Sequence, residues 1–147
     1  MNDPTSTLDQ MTYAATDPDM RDLMAAVGEV LLCWGYLESA ILDRLTAIEG
    51  PSTKLSKSSP LSRWKTAKPT TPEIAEVLAE IDRLAQVRHC LAHGLEGASV
   101  NPADAHAPAV TCRTPAGQRQ ISYAILVETQ RSLHRLTHVV RSLPFRP

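Results

Sequence analysis

The chain has 147 residues, of which 43% are hydrophobic and 21% charged, with a formal net charge of −1. That length suits one domain around one core and excludes two comfortable ones, and the composition is that of a soluble globular protein. Six aromatic residues are few, so Leu, Ile, Val and Ala must form most of the core. Residues 1–16 are polar, with no basic stretch leading into an apolar run, and read as a flexible tail rather than a secretory signal. Residues 17–147 read as a single domain.

The first strong periodicity starts near Asp17-Pro18, a cap followed by a first-turn proline. Met20, Leu23, Met24, Val27, Val30, Leu31, Trp34, Leu37, Ile41, Leu42, Leu45 and Ile48 recur at i, i+3, i+4, i+7 spacing, which predicts a helix to about residue 48. Gly50-Pro51 stops it. Residues 51–69 are rich in Ser, Lys and Pro, with a short helix expected after Ser59-Pro60.

The next helix opens at Thr70-Thr71-Pro72-Glu73, where Thr70 and Glu73 have capping-box spacing. It runs through Ile74, Val77, Leu78, Ile81, Leu84, Ala85 and Val87 to about His93, and Gly94 suits its C-terminal cap. From 95 to 121 the helical period is lost. Residues 98–100 and 109–112 suit short strands around an Asn101–Pro108 loop, with Thr114-Pro115-Ala116-Gly117 as a turn. A last helix from about Ser122 to Leu143 turns Ile125, Leu133, Leu136, Val140 and Leu143 inward. The expected fold class is all-α, a bundle of about four helices with a small hairpin-like insertion before the last helix.

No run approaches the ~18 apolar residues that a membrane span needs. Cys33, Cys90 and Cys112 are scattered, without CxxC spacing, so reduced thiols in a cytoplasmic protein are expected, with no metal and no cofactor. The small net charge hides segregation: residues 1–50 hold nine acids and two bases, and residues 51–69 hold five bases and no acid. Those five, Lys54, Lys57, Arg63, Lys65 and Lys68, surround Trp64. They read either as a solvated loop or as an RNA grip with a stacking platform.

Two charges fall where apolar residues are expected. At ~100° per residue, Arg88 lies inside the stripe of the second long helix and Glu38 inside that of the first. A lone buried charge is unfavourable and a hydrogen-bonded pair roughly breaks even, so Glu38 is expected to meet Arg88, within the chain or across a subunit interface. Arg88 and His93 are about 140° apart on an ideal helix. Two copies related by a two-fold axis would bring such residues together in a shared cleft, which points to a homodimer.

The stretch Arg88-His89-Cys90-Leu91-Ala92-His93-Gly94 places an arginine a helical turn before a histidine at a capped helix end. Here the chain resembles the HEPN superfamily of small helical bundles, whose signature is such an arginine and histidine. Trp34-Gly35-Tyr36-Leu37-Glu38 resembles first-helix sequence in bacterial members, and the likeness runs in helix order through residues 18–143. The resemblance implies a metal-independent endoribonuclease of toxin or defence type or a noncatalytic relative, usually dimeric with the two motifs facing each other, with an antitoxin partner where the member is a toxin. It implies that Arg88 stabilises charge building on phosphorus and that His93 is the acid/base group. His89 stands where many family nucleases have Asn or Asp, and with Glu38 it is a supporting residue. Leu95 replaces a tyrosine frequent in antitoxin-regulated members, so modification at that position is not supported.

The alternative from another class is a noncatalytic dimerisation, nucleotide- or RNA-binding module. In it Arg88 and Glu38 are structural and His93 interacts with the helix dipole. A metal held by His89 and His93 lacks a third ligand of telling spacing. A Cys90 nucleophile lacks an identifiable orienting group.

Overall fold

The structure, a computed structural model, describes residues 17–51, 57–66 and 71–143. The long apolar period becomes α1, Met20–Glu49, which starts at Asp19 rather than at Asp17-Pro18. The Asp19 carboxylate accepts from the Asp22 N–H at 2.8 Å, and the Asp22 carboxylate accepts from the Asp19 N–H at 2.9 Å. This reciprocal cap satisfies donors that a helix start otherwise leaves open. The remaining helices are α2, Pro60–Thr66, α3, Pro72–His93, and α4, Tyr123–Ser142. Thr71 caps α3, its hydroxyl accepting from the Ile74 N–H at 3.2 Å, while Thr70 and the 1–16 tail lie outside the described residues.

The all-α expectation is corrected by a three-stranded antiparallel sheet in the order β1-β2-β3. Its strands are β1, Leu95–Ser99, β2, Ala109–Thr114, and β3, Gly117–Ser122. β1 follows α3 at once and ends one residue short of the expected 98–100 strand. β3 is the unexpected element. Its sequence, Gly-Gln-Arg-Gln-Ile-Ser, buries only Ile121, so it lacks the apolar alternation that announces a strand. Pairing with β2, which buries Ala109, Val110 and Cys112, holds it in place.

The core joins Leu37, Ile41 and Leu45 of α1 to Ile81 and Leu84 of α3, Val110 and Ile121 of the sheet, and Leu133 and Leu136 of α4. On α4 it is Leu126 that turns inward, whereas Ile125 is 46% exposed and Leu143 half-buried. By length and composition α1 could cross a membrane, yet Leu23, Val30, Leu37 and Leu45 on it are fully buried in this core. Its Met20, Met24, Leu31, Leu32 and Tyr36 stay exposed.

Among the described residues, the buried charge is Arg44, on α1. Its guanidinium donates to the Leu143 carbonyl and, at 3.5 Å, to that of Val140, closing the end of α4 where helix carbonyls lack partners.

Candidate active site

The end of α3 and the start of the sheet meet tightly. The Gly94 N–H donates to the Cys90 carbonyl at 2.9 Å, and the Gly94 carbonyl accepts from the Arg113 N–H at 2.7 Å. A Cβ on Gly94 would stand 2.3 Å from the Arg113 carbonyl oxygen, so only glycine fits. Its φ of −122° shows that close approach, and not a left-handed cap, sets this requirement.

This junction holds the β2–β3 turn against the last turns of α3. Between them opens a cleft of about 880 Å³, lined on the helix side by Trp34, Asp82, Gln86, Arg88, His89, Cys90 and His93. Arg113, Thr114, Pro115, Ala116 and Arg119 line the hairpin side. Arg88, His89 and His93 therefore share one space. Arg113 and Arg119 join them without having been marked by the sequence pattern. The one available signal was the basic balance of residues 105–147, six bases against Glu128. Among the described residues, Asp82 is the only carboxylate in the lining, and Lys65 holds it in an ion pair. The fixed charge of the cleft is net positive.

The expected Glu38–Arg88 pair does not form within the chain. Both side chains are half-buried, and among the described residues no ion pair includes either. The Arg88 guanidinium carbon lies 5.8 Å from the Trp34 ring centre, so an aromatic face takes the place of a carboxylate. Partial exposure leaves Arg88 in contact with water and removes the need for a counterion. The Trp34 indole N–H is buried with no acceptor among the described residues.

His89 and His93 are exposed, their ring centroids 4.9 Å apart and their planes at 53°. Arg113 pairs with Glu96, and Arg119 stands opposite Cys112 on the β2–β3 ladder. Burial pushes the Cys112 thiol up, with Cys90 and Glu96 adding to the shift and Arg119 opposing it. Cys90, the candidate nucleophile, is itself buried.

The basic block is corrected in part. Trp64 is 6% exposed and belongs to the core, so its ring offers no platform to a base. The cause is the amphipathic α2, which buries Leu61 and Trp64 together. Arg63 donates to Glu49 at 2.8 Å, and Lys65 is held by Asp82. Lys57 is exposed, while Lys54 and Lys68 lie outside the described residues.

A second histidine pair, His134 and His138, has ring centroids 4.8 Å apart in a pocket of about 260 Å³ with Cys33, Tyr36, Thr137 and Arg141. Among the described residues no group of three or more His, Cys, Asp or Glu side chains is placed to hold a metal ion. No known protein family, curated protein or solved structure matches the chain. The chemistry of the cleft therefore carries the functional reading.

Proposed function

We propose that the chain is a HEPN-like, metal-independent endoribonuclease that acts as a homodimer, with Arg88 and His93 as its reacting pair. The observation that carries this is the convergence of Arg88 and His93 with Arg113 and Arg119 in one open, net-positive cleft. Cleavage of RNA by its own 2′-OH needs a group that moves protons and a fixed cation beside the phosphorus. His93 is the first and Arg88 the second, its planar fork matching two phosphate oxygens. Arg113 and Arg119 grip the neighbouring backbone. A toxin or defence role in the cytoplasm, with or without an antitoxin, is the setting that suits such an activity.

The dimer contact in this proposal is the exposed side of α1. Met20, Met24 and Leu31 are exposed there, and Leu31 and Glu38 lie one turn before and after Trp34 in the cleft. A second copy on that face covers apolar surface and brings its Glu38 toward Arg88, the pairing absent within one chain.

The test is incubation of purified protein with RNA in EDTA, beside Arg88→Ala and His93→Ala with circular dichroism as the folding control. Cleavage by the wild type, lost in both folded variants, is the expected result. A folded dimer that leaves RNA intact would instead favour a noncatalytic RNA- or nucleotide-binding module. The seating of Arg88 on Trp34 is the observation on that side.

A further inference from the structure

The cleft contains two imidazoles, and the reaction above employs one. Attack by the 2′-OH requires two proton transfers on opposite sides of the phosphorus, one from O2′ and one to O5′. We propose, resting on the ribonuclease reading, that His89 is a second catalytic residue and that His89 and His93 divide these transfers between them.

Four residues apart on α3, the two side chains rise from one face, a turn apart, into the same cleft. Their ring centroids are 4.9 Å apart. Metal pairs that clamp the attacking and leaving oxygens of an in-line displacement sit ~3.5–4 Å apart. Two rings at the observed separation, each reaching ~2.6–3.2 Å to its oxygen, span the same two atoms. The 53° tilt lets the two ring edges aim at different oxygens. Arg88, Arg113 and Arg119 line the same cleft, Lys65 occupies Asp82, and Arg113 pairs with Glu96. The bound phosphate is then the anion that a protonated ring meets.

In the step itself, a neutral ring takes the 2′ proton as the O2′–P bond forms. The protonated ring gives its proton to O5′ as the P–O5′ bond breaks. The products are a 2′,3′-cyclic phosphate and a free 5′-hydroxyl. The rings end with their protonation exchanged and reset through solvent. Nothing is oxidised or reduced, and no co-reactant is consumed.

The experiment measures single-turnover cleavage of an oligoribonucleotide in EDTA by the wild type, His89→Ala, His89→Gln and His93→Ala. A parallel substrate carries sulfur at the scissile 5′ bridging position, whose thiolate leaves without a proton. On the ordinary substrate each variant is expected to lose ~10²–10⁴ in rate, the usual worth of positioned acid–base catalysis. The sulfur substrate restores one histidine position and leaves the other inactive, which names the acid. His89→Gln keeps a hydrogen-bonding side chain but moves no proton, so it fails with His89→Ala. A merely orienting His89 would be rescued by Gln, and that result overturns the proposal. So does a wild-type rate in His89→Ala, or an equal response of both positions to sulfur. An inactive wild type overturns the ribonuclease reading together with this one, whereas an active wild type beside an active His89→Ala removes this one alone.

Discussion

The molecule carries the same local device twice, and only one copy has a site built around it. His89/His93 and His134/His138 share their four-residue spacing, their exposure and nearly their ring separation, 4.9 and 4.8 Å. The first pair ends a helix that runs straight into a sheet, and the sheet returns two arginines over it. The second sits midway along α4 beside α1, in a pocket less than a third the size where Arg141 is the one fixed charge among the described residues. Spacing on a helix makes a pair of imidazoles; a second and third element make the anion-receptive cleft around them.

The contrast breaks most directly in activity. His93→Ala is expected to lower cleavage by ~10²–10⁴, measured on a defined RNA in EDTA. Next in size is the hairpin. Arg119→Ala and Arg113→Ala each remove one proposed backbone contact, and each is expected to weaken RNA binding uniformly across sequences and lower the salt slope by about 1, read by fluorescence anisotropy at several salt concentrations. Gly94→Ala loosens the hairpin from α3 without touching a charge. Its Cβ must push against the Arg113 carbonyl, for a cost of about 1–3 kcal/mol on thermal unfolding, with the hairpin arginines displaced from the histidines. Arg44→Met opens the end of α4 far from the cleft and should cost about 1.5–3 kcal/mol of stability while the folded fraction keeps its rate. The smallest effect belongs to His134→Ala and His138→Ala, for which the cleavage rate stays that of the wild type.

How far the sequence foretold this depended on whether one element or several decided the outcome. α1, α3 and α4 were legible because their apolar residues repeat at helical spacing and their ends carry capping residues. Arg88 was legible because it breaks such a stripe and His93 because it ends the helix that carries one, whereas His89, on the flank, was marked by its place beside Arg88 in the HEPN-like motif. β3 was hidden because a single buried side chain, Ile121, fixes it through its partner strand. Arg113 and Arg119 carry no pattern of their own in the sequence, since their place in the cleft depends on where the hairpin folds back. Trp64 misled in the opposite direction: lysines surround it in sequence, yet in space Leu61 and the core do. Glu38 and Arg88 stand out in the sequence as charges on apolar stripes, but both are half-buried and unpaired with each other within the chain, and the Trp34 face beside Arg88 carries no signal in the sequence.

The sharpest measurement of the contrast between the two pairs is an NMR titration of all imidazole resonances with a 2′-deoxy oligonucleotide, which binds without being cleaved. The His89 and His93 signals are expected to move together and saturate, while those of His134 and His138 stay in place. Equal movement of both pairs, or movement of His134 and His138 alone, would contradict the assignment of the α3–hairpin cleft as the seat of phosphodiester binding.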